Sequence, residues 1–331
     1  MNLKTNPAIL PAWSGLRFVR LLMVGFVLPL VLLSSNAHSQ TIRSTQGPQR
    51  FDLPSVESVI SQHIDALGGR AVLESINTVT IQSRLTTQST TQTNTIDTIL
   101  RQSGNRIKME MLISSKPIPR TPNSSNRQQP AATPIGSSEP VEISMGSNGE
   151  TPWAIQPGPA LSGGGPRLLQ GQEKSEFAQQ FSQPFPPLEW KNYDGKISVV
   201  GAEMIEGKKC FRLLFEPKIG SRLARLFDAK TGLIVRLEST ERTPDGVRTV
   251  HIVPSDYQKI EGVTVPMKQT SKVDDKTLHV METLAVRFNT TFAQNTFDLP
   301  DEIQALVDAR ANPQAQPSTA PTAPPTKNTD R

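Results

Sequence analysis

The chain is 331 residues long and carries a formal net charge of +5. Its one cysteine, Cys210, excludes an internal disulfide, so the fold must be held by an apolar core. Residues 1–39 contain Lys4, Arg17 and Arg20 and no acidic residue, so the remainder carries only +2 and the sequence pI of about 9.4 supports no nucleic-acid partner.

The apolar run at residues 21–33 (LLMVGFVLPLVLL) is shorter than the roughly 20 residues of a membrane span. Basic residues precede it, and the small-x-small triplet Ala37-His38-Ser39 follows. This is the pattern of a secretory signal over residues 1–39, cleaved near Ser39-Gln40, with a periplasmic or secreted product; an uncleaved anchor is the alternative. No cysteine follows the run, which argues against a lipid-modified N-terminus and for a soluble mature protein.

Residues 40–50 read as a flexible lead-in, and residues 51–300 as a single domain. Pro54 opens a helix in which Val56, Val59, Ile60, Ile64 and Leu67 share a face, and Gly68-Gly69 closes it. A shorter helix is expected over residues 70–76. Val79, Ile81 and Leu85 then alternate with polar residues, and a weaker strand is expected over 96–101. After the turn Ser103-Gly104-Asn105, Ile107, Met109, Met111 and Ile113 alternate cleanly. Residues 114–140 are rich in Pro, Ser, Asn and Gln and read as a disordered insertion. Val141, Ile143 and Met145 resume the alternation; Asn148-Gly149 marks a hairpin, and residues 153–155 return. Residues 157–166 read as a loop, and 173–181 as a helix with Phe177 and Phe181 one turn apart.

Regular strands follow. Phe211, Leu213 and Phe215 share one face; residues 222–227 lead through the turn 228–232 into Leu233, Val235 and Leu237. Pro244-Asp245-Gly246 is a turn, and strands over 247–253, 263–267 and 278–288 complete the set. In the last, Leu278, Val280, Leu284, Val286 and Phe288 are expected on one face and His279, Thr283 and Arg287 on the other. A short helix over 301–310 and a Pro/Thr/Ala-rich disordered tail end the chain. The sum is an α+β fold of about ten strands. Short links make the strands antiparallel, and a sheet that long curls into an incomplete barrel covered by two or three helices.

Residue types that carry chemistry are scarce. After residue 39 the histidines are His63, His251 and His279, with no metal-ligand spacing. There is no GxSxG elbow, and Gly163-Gly164-Gly165 lacks the Lys-Ser/Thr ending of a phosphate loop. Cys210, beside Phe211, reads as a small buried hydrophobe. No enzyme, cofactor or metal is expected. Residues 208–236 hold eight basic residues against Glu216 and Asp228. They form either a positive face for phosphate headgroups or an ordinary solvated sheet face, and the second reading is preferred.

The stretch HIDALGGRAVLESINTVTIQSRL (63–85), followed by RIKMEM (106–111), resembles the start of outer-membrane lipoprotein-sorting proteins. FDAKTGLIVRLES (227–239), DYQKIEGVTVPMK (256–268) and FDLP (297–300) extend the resemblance to the periplasmic lipoprotein-carrier superfamily, with its Lol-type fold. It covers most of residues 51–300, on turn and strand signatures. It implies an incomplete barrel capped by helices, with an apolar cavity for acyl chains of lipid or lipoprotein. The insertion and the Pro-rich tail depart from the small carriers. On this reading the cavity lining is Ile81 and Leu85, then Ile107, Met109 and Met111, then Phe211, Leu213 and Phe215, then Leu233 and Val235, and finally Leu284 and Val286. Transient contact with a membrane surface would accompany delivery. The alternative is an envelope interaction or sensor module that binds a protein partner through the same fold.

Overall fold

The computed structural model describes residues 53–88, 92–117, 139–157, 164–181, 186–218, 222–243, 246–273 and 275–312. The proposed signal, the lead-in, most of the insertion and nearly all of the tail lie outside them.

The first helix, α1 (Val56–Leu67), is capped by the Ser55 hydroxyl, which accepts from the Ser58 N–H at 3.1 Å. Its face of Val59, Ile60, His63, Ile64 and Leu67 is buried. Gly68 ends it at φ +133°, and a Cβ there would lie 2.4 Å from the Gly262 carbonyl oxygen, so only glycine permits this approach. A short α2 (Arg70–Glu74) follows.

Among the described residues thirteen strands form one sheet. They are β1 (Thr78–Gln88), β2 (Gln92–Ser103), β3 (Arg106–Pro117), β4 (Val141–Ser147), β5 (Pro152–Gln156), β6 (Gly165–Leu168), β7 (Gly195–Ile205), β8 (Lys208–Pro217), β9 (Leu223–Asp228), β10 (Ile234–Thr243), β11 (Gly246–Ile260), β12 (Val263–Val273) and β13 (Lys276–Phe288). Between β6 and β7 lie α3 (Gly171–Phe181) and a 3₁₀ turn (Pro186–Asn192), and α4 (Asp301–Ala311) closes the domain.

Spatial order explains how the sheet is covered. The chain walks outward from β1 to β6, reappears at the opposite edge as β7, and walks back to β13, which pairs with β1. Every pairing is antiparallel, and β6 and β7 are unpaired on their outer sides among the described residues, so the sheet is not closed. The edges are consecutive in sequence, so the segment carrying α3 and the 3₁₀ turn must cross the mouth of the curled sheet. Gln102 on β2 fastens this crossing, its side-chain N–H donating to the Phe181 carbonyl at 2.9 Å. Helix α1 docks at the other limb, where the Gln62 side chain donates to the Ala229 carbonyl at 3.1 Å.

Several expectations shift. The described residues hold thirteen strands, against the ten or so expected. Gly165-Pro166, assigned to a loop, opens β6; proline is tolerated there because the strand is at an edge. Residues 114–117, assigned to the insertion, extend β3 and pair with 92–95 of β2. Strand β11 does not stop at Val253 but runs through Pro254 to Ile260. Residue 254 has no partner on β10, so its missing N–H costs nothing on that side. Pro186–Asn192 forms a 3₁₀ turn where no element was expected.

Candidate functional site

The inward face of the sheet carries the core. Ile81 lies between Leu100 on β2 and Val286 on β13; Leu100 pairs on with Met109, and Met109 with Met145. A second row joins Ile113, Ile96, Leu85 and Met281. Methionine, unbranched and polarizable, adapts to irregular apolar shapes. Met109, Met111, Met145 and Met281 are all buried here. On the other limb Leu213, Phe215, Leu223, Phe227, Leu237 and Ile252 belong to the same core. Ile81, Leu85, Ile107, Met109, Met111, Leu213, Phe215 and Val286 are thus brought into one apolar cluster, with Phe211 and Leu233 half-buried against it.

Val235 and Leu284 are not on this face. Ile234 pairs with Phe227 and Arg236 with Leu226, which leaves Val235 as the extra residue of a bulge. Val235 turns outward and packs on Ile205, Cys210 and Leu226 in a small separate cluster. On β13, Ala285 pairs with Gln82 and Thr283 with Ser83, so Leu284 is bulged out and 51% exposed. The same bulge moves His279 and Met281 inward, opposite to the side expected for His279.

Leu233 and Val235 also line a surface pocket of about 490 Å³ with Lys208, Asp228, His251 and Tyr257. It lies on the outward side, where charged pairs dominate: Arg212 with Glu203 and Glu238, Arg84 with Asp97. The basic run does not form one positive face. Arg212 is paired, Lys218 meets Asp194 at 2.5 Å, Arg222 meets Glu216 at 2.9 Å, and Arg225 is buried on the inward side. Cys210 is fully buried, and burial raises its thiol pKa, so it behaves as the small hydrophobe expected.

Sequence reading missed the polar residues inside. Arg225 is 5% exposed and neighbours Leu213 and Leu237 on the flanking strands. Its guanidinium sits 4.3 Å from the centre of the Phe215 ring. Burial pulls it down to about 10, which still leaves it charged at neutral pH. The Tyr193 ring meets Phe215 edge-on at 5.8 Å. Its hydroxyl is buried without a hydrogen-bond partner among the described residues, and burial pushes it up to about 12 while Arg225 pulls it back. His63 reaches in from α1. Its Nδ1 lies 2.8 Å from the Gly232 carbonyl, which can only accept, so Nδ1 carries the proton. Nε2 is then a lone-pair acceptor, buried without a partner among the described residues. Burial lowers His63 to about 4, with the Gly232 bond opposing and Arg225 adding to the shift. On β13, His279 is buried beside Ser271 and is likewise lowered to about 4 by burial.

Among the described residues no group of three or more His, Cys, Asp or Glu side chains is placed to hold a metal ion. No helix there is long and apolar enough to cross a membrane.

No family model matches the chain, and no curated protein does. Solved structures are similar in architecture. A DUF1329 family protein from Desulfovibrio piger is 12% identical, with 73% of this chain and 97% of that chain covered and a TM-score of 0.45. A LolA superfamily protein from Nitrosomonas europaea is 8% identical, with 74% of this chain and 98% of that chain covered and a TM-score of 0.44. At these scores the likeness is one of general fold.

Proposed function

We propose that this protein is a soluble envelope carrier that holds acyl chains, of a lipid or of a lipidated polypeptide, between the sheet and the helices that cross its mouth. The observation that carries the reading is the mismatch between sheet and cover. Thirteen strands at about 4.8 Å spacing give a girth of roughly 60 Å, whereas each helix covers about 10 Å. The inward face is mostly apolar along both limbs, and among the described residues few helical segments lie across it. Each methylene moved from water onto such a face contributes about 0.8 kcal/mol, so binding needs no catalytic group. The signal-like leader and the sequence resemblance to lipoprotein-sorting proteins support the same reading, with delivery at a membrane surface outside the cytoplasm. On this account the described state is closed, with the helices resting on the lining. Opening requires α1 or the α3 segment to move.

The test is uptake. Delipidated protein incubated with labelled phospholipid or a diacylated lipopeptide should retain label through gel filtration, and label that stays with the vesicles would contradict the reading. A second reading, a protein-binding module, is favoured by one feature. The edge strand β7 carries exposed Val200 and Met204, 48% and 66% accessible, beside an unpaired row of backbone groups. It predicts a partner that adds a strand at β7 and no lipid uptake.

A further inference from the structure

Acyl binding on the inward face leaves the outward pocket of about 490 Å³ without a role. The pocket comes from a split in the sheet. Strands β10 and β11 pair from their hairpin down to Leu237 and Ile252, and there the ladder stops. Beyond it β10 bulges at Val235, and Pro254, the residue that would face Val235, has no N–H. Val253, Pro254, Ser255 and Tyr257 keep strand partners on β12 alone. The Tyr257 hydroxyl spans the gap and donates to the Ile234 carbonyl at 2.8 Å. Asp256, at the rim, holds φ +52° in mid-strand, a distortion of the kind that collects at ligand sites.

Part of the lining is apolar: Ile205, Leu233, Val235, Val253 and Tyr257. The charged part divides by depth. Arg236, His251 and Lys272 are half-buried, whereas Glu206, Lys208, Asp256 and Asp275 are exposed. Asp228 is buried and holds its own turn, its Oδ1 accepting from the Lys230 and Thr231 N–H groups at 2.7 Å and 3.1 Å. The half-buried cations lack close partners. Among the described residues Lys272 has no hydrogen bond or ion pair. Glu238 is shared: one oxygen accepts from Arg212, and the other lies 3.7 Å from Arg236 and 3.6 Å from His251, too far for a hydrogen bond. Lys208 and Arg236 are the two ends of the basic run 208–236. Arg212 and Arg222 between them are paired, and the fold returns the ends to one pocket.

We propose that this pocket binds a small, soluble organic phosphate, with the phosphate against Arg236 and Lys272 and the apolar body on Val235, Val253 and Tyr257. The volume lies in the range of small-molecule sites, and so does the pattern of an apolar wall with a few placed polar groups. A phosphomonoester carries close to two charges and three acceptor oxygens, which suits several cations that share one carboxylate. Arg236 presents a planar fork and Lys272 a point charge. His251 stands between Glu238 and Lys272 in the same cross-strand row and adds ring nitrogens beside them. The exposed acids Glu206, Asp256 and Asp275 oppose the approach of a planar anionic bilayer, so the ligand is a soluble molecule and not a lipid headgroup. The site lies across the sheet from the proposed acyl-carrying face and does not depend on the carrier reading.

The experiment titrates the exported protein with three probes, phenyl phosphate, benzyl alcohol and inorganic phosphate, followed by calorimetry or NMR. Phenyl phosphate should bind about 10-fold or more tightly than benzyl alcohol, from charge-assisted hydrogen bonds, and than inorganic phosphate, from burial of its ring. Lys272→Met and Arg236→Gln should each weaken phenyl phosphate by about 5-fold or more and leave benzyl alcohol unchanged. Lys272 is half-exposed and unpaired, so its variant keeps the test decisive if Arg236→Gln fails to fold. Uptake of labelled lipid by the two variants should not change, which separates failure of this site from failure of the carrier reading. Equal binding of phenyl phosphate and benzyl alcohol, a preference that survives in both variants, or no binding of any probe would overturn the inference. Inorganic phosphate bound as tightly as phenyl phosphate would mark an ion site only and overturn it too. Flotation on phosphatidylglycerol vesicles that phenyl phosphate reverses would overturn the assignment to a soluble molecule.

Discussion

His63 and His279 are both held neutral by burial, and that sets the sign of their effect on stability. Each has a folded pKa of about 4 against an ordinary value of 6.5. Between those values the unfolded chain binds the proton and the folded chain does not, so stability falls as pH drops from about 6.5 to about 4 and is flat above 7. Each site contributes up to about 1.4 kcal/mol per pH unit inside the window. Urea titrations from pH 7.5 to 4.5 should show the midpoint dropping below pH 6.5. The double variant His63→Gln/His279→Gln should flatten the profile; an unchanged slope would show that carboxylates govern it. At this scale the sequence was a partial guide. It placed His63 on a helix and Cys210 in the interior, both as found. Arg225 was invisible because all six residues of β9 are buried: with Ala224 and Leu226 as apolar as Leu223 and Phe227, alternation cannot say which side the arginine takes.

Bulges decide which side chains face inward along β7, β10 and β13. Val200, Val235 and Leu284 are each an unpaired extra residue that reverses the alternation beyond it. A pattern of period two read across a bulge puts one half of the strand on the wrong face. That is why Val235 and Leu284 were expected on the same face as the rest of the lining, while Ile107, Met109 and Met111, on the unbulged β3, keep their alternation and lie together in the buried apolar cluster. The pairing makes a sharp prediction. Leu284→Ser should change stability by no more than about 0.5 kcal/mol, whereas Val286→Ser, two residues on and 8% exposed, should cost about 2 kcal/mol or more. Chemical denaturation of the two variants separates them, and equal losses would contradict the register.

For the whole molecule, the governing fact is that β6 and β7 are neighbours in sequence and lie at opposite edges of the sheet. Short links and alternation made the antiparallel sheet legible from local sequence. The route across the mouth was not, because crossing is a property of strand order and leaves no local signature. That route lays α3 and the 3₁₀ turn across the apolar face of the sheet, and on the proposed reading this segment is the cover that moves. Native mass spectrometry of the protein, purified without detergent, tests this most directly. The account predicts extra mass that extracts into organic solvent as an acyl-containing species. A clean apo mass, with no uptake of added phospholipid or lipopeptide, would contradict it and shift the function to the exposed edge at β7.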